Sequence, residues 1–263
     1  MSRVLITGCS TGFGRASAVE LKKRGFEVVA TARRPEVLDG LDVDARVALD
    51  VTDDASVASA LAAAGPVDVL VNNAGISVSG PVELVPLDEV RRLFETNFFG
   101  AVRMMQAVLP QMRSRGSGTI VNVSSVSGKV AAPLSGFYAA SKFALEAVSE
   151  AMYFEMGHFG IRTVLIEPGY FKTSISDSGI RYGVDDAPFK ELAEATDKMT
   201  ETLGRGEAPG PEVVAMAIAD AIETPGAVRV PVGTDAEMVL GARATMDDAT
   251  FEATMRQVLQ VDW

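Results

Sequence analysis

Short runs of consecutive apolar and β-branched residues recur along the chain, at Arg3–Thr7, Phe26–Thr31, Ala45–Leu49, Val67–Val71, Thr119–Val123, Thr163–Ile166 and Val228–Val232. They do not alternate apolar with polar, so they predict strands covered on both faces. Between them lie longer stretches with helical periodicity, Arg15–Lys23, Ala55–Ala64, Leu87–Arg115 and Tyr138–Phe159. Such stretches supply the crossovers that join parallel strands. The pattern therefore predicts a doubly wound α/β fold, a mostly parallel sheet of about seven strands with helices on both faces.

No Pro/Gly/Ser linker, fixed-period repeat or low-complexity tract divides the chain, so residues 1–263 are expected to form one domain. One region breaks the rhythm. Residues 174–211 follow the sixth predicted strand, contain several Gly and Pro, and include the amphipathic stretch Phe189–Leu203. A long excursion starting at the carboxyl end of a strand fits a substrate-binding loop, with a surface insertion as the bland alternative.

Composition narrows the function classes. At 48% hydrophobic and 22% charged residues the chain is not a disordered or fibrous one. Lys plus Arg number 24 against 35 Asp plus Glu, 24 − 35 = −11, a balance that argues against nucleic acid or an anionic membrane as partner. Cys9 is the one cysteine and His158 the one histidine. That excludes an intrachain disulfide, and no metal site built on Cys/His is expected. No run reaches the ~20 apolar residues of a membrane span, and the start lacks a signal-like apolar region, so a cytoplasmic location is expected.

Candidate chemistry begins at the first strand, which runs into Thr7-Gly8-Cys9-Ser10-Thr11-Gly12-Phe13-Gly14 and then a helix. Glycines allow a tight turn and close backbone approach, and a helix N-terminus offers free N–H groups to a phosphate. The second predicted strand ends in Thr31-Ala32-Arg33-Arg34. Two guanidiniums and no acid there suit a ribose 2′-phosphate better than a free ribose diol, which favours NADP(H) over NAD(H). Farther on, Tyr138 and Lys142 stand four residues apart in a helical stretch, on one face. A fixed ammonium beside a phenol favours the phenolate and brings it toward the range of a general acid/base. Cys9 reads as a small filler in the turn.

Together these residues resemble the short-chain dehydrogenase/reductase family in its compact, Rossmann-like branch. Thr7-Gly8-x-x-x-Gly12-x-Gly14 matches its cofactor motif, Asp50-Val51 its adenine contact, and Asn72-Asn73-Ala74-Gly75 its Asn-Asn-Ala-Gly signature. Asn97 lies in a Thr-Asn-Phe context, and Ser125 precedes Tyr138 by the family's thirteen residues. Lys142 completes Tyr-x-x-x-Lys, and Pro168-Gly169 with Thr173 match Pro-Gly-x-x-x-Thr. The resemblance implies a catalytic set of Asn97, Ser125, Tyr138 and Lys142. Tyr138 would exchange the proton and Ser125 would hold the substrate oxygen. Lys142 would lower the Tyr138 pKa and bind the nicotinamide ribose, and Asn97 would hold a water leading to solvent. Ser124 and Ser127 would serve the backbone. The cofactor set it implies is Gly8, Ser10, Thr11, Gly12, Phe13, Gly14, Arg33, Arg34, Asp50, Val51, Asn73, Ala74, Gly75, Tyr138, Lys142, Pro168, Gly169 and Thr173. Thr11 stands where NADP users often carry a base, so phosphate binding would rest on Arg33, with Arg34 as helper.

By family position Val130 to Pro133, Phe137, Tyr170 and Phe171 flank the pocket, with Ser125, Phe137, Tyr138 and Tyr170 as substrate contacts. Their apolar balance suggests a hydrophobic secondary alcohol or ketone as the small-molecule substrate. Arg181, Lys190 and Lys198 are the alternative carboxylate contacts. Extra apolar residues on the two long helical stretches, among them Phe94, Phe98, Met104, Met105, Val108, Met152, Phe154 and Met156, suggest a homodimer or homotetramer. Competing readings are a nucleotide-sugar epimerase or dehydratase, which normally needs a larger C-terminal region, and a non-catalytic NADP-binding sensor or scaffold.

Overall fold

Strand β1 (Arg3–Ile6) turns Val4 and Ile6 toward one helical layer and Leu5 toward the other, and all three are fully buried. Each such side chain contributes about 1.5–3 kcal/mol on burial, so continuous apolar runs fix the strands of a sheet covered on both sides. The computed structural model describes residues 1–171, 173, 175, 179–204 and 209–260, with residues 200–204 described by backbone alone.

The remaining strands are β2 (Glu27–Ala32), β3 (Ala45–Ala48), β4 (Val69–Asn72), β5 (Val78–Ser79), β6 (Gly118–Val123), β7 (Ile161–Pro168), β8 (Ile180–Arg181) and β9 (Arg229–Val232). Seven of them form one sheet in the order β3-β2-β1-β4-β6-β7-β9, every pairing parallel. The fold is the doubly wound, Rossmann-like α/β fold. Strand order reverses between β1 and β4, the switch point outside which ligands bind in such sheets.

On one face α1 (Gly12–Lys23) and α7 (Pro211–Glu223) pack through Ala18, Leu21, Val214 and Ile218 onto Val28, Val121 and Ile166. On the other, α2 (Asp54–Ala64), α4 (Gly100–Arg115) and α5 (Gly136–Gly157) cover Val29, Leu70 and Ile120 with Val57, Met104 and Met152. The predicted helical stretch Leu87–Arg115 is helical throughout, as α3 (Leu87–Phe94), a wide π turn at Glu95–Phe99, and α4. The π turn ends at Gly100, which packs against Val51, whose side chain would meet any added Cβ at 2.7 Å.

The excursion after β7 contains β8, which pairs with β5 in a separate two-stranded ladder, and α6 (Lys190–Gly204). The rest of its stretch 174–211, including 174, 176–178 and 205–208, lies outside the described residues. Two further helices, α8 (Thr234–Thr245) and α9 (Asp248–Leu259), follow β9 and, like α7, are not among the predicted ones. No helix among the described residues is long and apolar enough to cross a membrane.

Candidate active site

The turn after β1 is shaped by contacts that only glycine admits. Gly8 has φ +73° and Gly12 φ +57°, a region where a Cβ is strained. A Cβ on Gly14 would stand 2.4 Å from both the Gly8 carbonyl and Asn73 Nδ2. Asn73 donates from Nδ2 to the Thr7 carbonyl at 2.8 Å and the Gly8 carbonyl at 3.1 Å. Thr7 Oγ1 accepts in return from the amides of Asn73 and Ala74, each at 2.9 Å. The two sequence motifs are thus one hydrogen-bonded structure at the switch point.

A cleft of about 470 Å³ opens there. Gly8, Ser10, Thr11, Gly12 and Phe13 line its floor, Arg33, Asp50 and Val51 one end, Asn73, Ala74 and Gly75 its side, and Tyr138, Lys142 and Thr173 the other end. The volume and the elongated run of residues fit an extended dinucleotide, with the start of α1 supplying N–H groups at mid-length. Burial raises the pKa of Asp50, but hydrogen bonds from the Thr52 hydroxyl and amide, with Arg33 and Arg103 nearby, outweigh it and hold the carboxyl below its ordinary value.

At the far end Tyr138 sits in the first turn of α5 and Lys142 one turn later, buried. The Lys142 ammonium donates to the Val123 carbonyl at 2.8 Å and lies 5.9 Å from the centre of the Tyr138 ring. The expected lowering of the Tyr138 pKa by Lys142 is not what this arrangement gives. Burial pushes the phenol up to about 12, and a hydrogen bond with the Ser125 side chain pulls against it. Burial likewise pushes Lys142 down to about 8, with Glu146 opposing.

Ser125 also accepts the amide N–H of Ser127 at 3.1 Å, so it is Ser125, not Ser124 or Ser127, that serves the backbone here. Ser124 Oγ is buried beside Gly128 with no hydrogen-bond partner among the described residues. Asn97, in the π turn, spends its side chain on the Ile76 backbone, accepting at 2.8 Å and donating at 3.0 Å, and on Ser141 Oγ at 3.2 Å. A π turn inside a helix is a frequent marker of a functional position.

Several expected contacts are placed elsewhere. Arg34 does not line the cleft. Phe137 packs into an apolar cluster with Val78, Val85 and Leu93 behind the cleft wall. The Tyr170 amide N–H donates to the Asp235 carboxylate, and Pro168 and Gly169 finish β7 against β9. A Cβ on Gly169 would stand 2.3 Å from the Asp235 carboxylate. Arg181 pairs with Asp197 at 2.9 Å, Lys190 lies 3.9 Å from Glu194, and Lys198 donates to Gln260. Cys9 is fully buried and its thiol is pushed up to about 12 by burial, as a filler would be. The sequence reading missed Ile76, Arg92 and Thr96 as lining residues. Thr96 is adjacent to Asn97 and was within reach; Arg92 lies one helical turn before Thr96, on α3.

A family model for short chain dehydrogenases matches residues 2–180. An uncharacterized oxidoreductase of Bacillus subtilis, YusZ, is 36% identical over 97% of this chain and 97% of its own. A 3-ketodihydrosphingosine reductase of Bacteroides thetaiotaomicron is 42% identical over 66% of each chain. The crystal structure of a short chain dehydrogenase from Burkholderia cenocepacia in complex with NADP superposes with a TM-score of 0.78 at 26% identity, covering 97% of both chains.

Proposed function

The chain belongs to the short-chain dehydrogenase family, oxidoreductases that act on CH–OH groups, and from that premise we propose that it reduces hydrophobic ketones with NADPH. The observation that carries this reading is the single cleft that runs from the Arg33 guanidinium past the glycine turn to Tyr138 and Lys142. Arg33 at one end suits a 2′-phosphate, and the amides of Ser10 to Phe13 suit a pyrophosphate. When bound, the cofactor supplies the hydride.

The chain's own residues then have three tasks: to hold the reactants, to deliver one proton and to stabilise a developing alkoxide. Burial keeps Tyr138 protonated through neutral pH, the form that gives a proton to a carbonyl oxygen. Ser125, hydrogen-bonded to that phenol, is placed to donate to the same oxygen. Lys142 holds positive charge beside them, and Asn97 fixes the Ile76 segment that forms the adjoining wall. Ile76 and Ile175 in the cleft lining favour a substrate with an apolar body. The name of the Bacteroides relative is consistent with ketone reduction.

The protein works as a homodimer or homotetramer in this reading. Phe99 of the π turn, with Phe143, Tyr153 and Phe154 of α5, stays exposed on the protomer, Phe154 at 72%. Following NADPH consumption over paired long and short ketones tests the proposal. Turnover that rises with the apolar length of the ketone is expected; nucleotide binding with no turnover on any ketone would overturn it.

A further inference from the structure

Behind Lys142 lies a group of buried charges that the proton-transfer reading above does not use. One turn farther along α5, Glu146 is 3% exposed, and across from it on β7 Glu167 is 2% exposed. Arg229 of β9 donates from Nε to Glu146 Oε2 at 2.9 Å, stands 3.6 Å from Glu167 Oε1, and uses its other end on Glu150. Oε1 of Glu146 and Oε1 of Glu167 both lack a donor among the described residues. One guanidinium thus faces two buried carboxylates, and a proton on one of them supplies the missing donor. Burial, and after it the Glu146 charge, raise the pKa of Glu167 well above the ordinary carboxylate range, to about 7.

Glu146 also stands at a partition. Ser124 and Lys142 line the cofactor cleft, whereas Glu146, Glu167, Lys129 and Arg229 line a second cleft of about 950 Å³ on the far side. Between the two, Gly128 is bare: a Cβ there would meet Ser124 Oγ at 2.7 Å and Glu146 Cγ at 2.9 Å. The groups facing Glu146 are therefore Lys142 and Glu150 on its own helix, Glu167 from β7 and Arg229 from β9, with Lys129 from the turn after β6 close by and Arg243 of α8 lining the same cleft. Lys142 is the one cation in this group that is fully desolvated and has a backbone carbonyl, not a carboxylate, as its hydrogen-bond acceptor.

Resting on the ketone-reduction reading, we propose that Glu146 is a positioning residue for proton transfer. Its carboxylate, fixed by Arg229, keeps Lys142 charged in its dry seat one helical turn away. A charged Lys142 is what the reaction needs beside the phenol, and burial alone works against it. Local helix geometry supplies the link, since residues i and i+4 share a face.

The test is the titration of Lys142 by NMR in protein carrying 13C at lysine Cε, with its signal assigned by disappearance in Lys142→Arg. In Glu146→Gln the midpoint of Lys142 is expected to fall by about one pH unit, and in Glu146→Asp by less in the same direction. In ketone reduction by NADPH, the alkaline limb of kcat/KM in Glu146→Gln moves down by the same interval, a loss of about tenfold on that limb, while the rate at lower pH stays near wild type. A Lys142 midpoint unchanged in Glu146→Gln, whatever its melting temperature, overturns the proposal. If Glu146→Gln does not fold, an unchanged midpoint in Glu146→Asp does so. The midpoint is read without turnover, so an inactive wild type would count against the ketone-reduction reading while the titration still decides the role of Glu146.

Discussion

Lys142 Nζ and the Val123 carbonyl form a 2.8 Å hydrogen bond that joins the first half of α5 to the carboxyl end of β6. The bond places an ammonium at the floor of the cofactor cleft, beside Tyr138 and away from solvent. A buried ammonium without a carboxylate in direct contact is costly, and its retention points to work other than stability.

Tyr138→Phe removes one hydroxyl and leaves the ring, its packing with Val78 and Leu93, and the cleft shape unchanged. The expected result is a fall in kcat of about 10²–10⁴-fold, the span of a lost general acid, with NADPH affinity kept. Steady-state kinetics and a fluorescence titration of NADPH check the two halves. Equal rates in variant and wild type would remove Tyr138 from the chemistry.

Arg33 lines the cleft and Arg34 does not. Arg33→Ala should weaken NADPH binding by about 10–100-fold, the range of one or two charge-assisted hydrogen bonds of about 1.5–3 kcal/mol, and leave NADH binding little changed. Arg34→Ala should be close to neutral for both. Calorimetric titration with the two nucleotides separates the outcomes, and an Arg33 effect of equal size on both would mean that it does not read the 2′-phosphate.

Gly14→Ala places a methyl 2.4 Å from a backbone carbonyl and from the Asn73 amide that ties the turn to the end of β4. Neither neighbour is the loose end of a flexible side chain. Overpacking of this kind costs about 1–3 kcal/mol, or about 2–4 °C in melting temperature per kcal/mol for a chain of this length. Differential scanning fluorimetry should show that loss, with NADPH failing to restore it fully.

How far the sequence alone reaches depends on whether a feature is local. The inner strands β1, β2, β4, β6 and β7 were legible because each is buried on both faces, and Thr7 to Gly14 and Tyr138 to Lys142 because their geometry is set within two turns of chain. The π turn at Glu95–Phe99 was not, since nothing in the apolar spacing of that helical stretch marks it. Phe137 was assigned to the pocket by position in the chain, yet it packs into the apolar cluster of Val78, Val85 and Leu93. The meeting of Glu167 and Arg229 follows from the β7–β9 ladder, in which Leu165 pairs with Arg229 and Glu167 with Pro231. No local pattern announces that register.

The buried pair Glu146 and Glu167 also gives a pH signature in stability, and its sign follows from Glu167. Its folded pKa lies above the unfolded value because burial, and then the charge of Glu146, disfavour ionisation. Over the interval between those two values the folded state holds a proton that the unfolded state has released, so stability falls as pH rises through it. Glu167→Gln keeps the shape and a donor toward Glu146 but removes the titration. Its melting temperature relative to wild type should therefore be higher at pH 8 than at pH 5. Each pH unit over which the two states differ by one proton is worth about 1.4 kcal/mol, about 2–4 °C in a chain of this length. Melting curves of the two proteins at matched ionic strength check it. A constant difference across that range would mean that Glu167 is ionised in the folded state throughout, and that Arg229 balances both carboxylates at once.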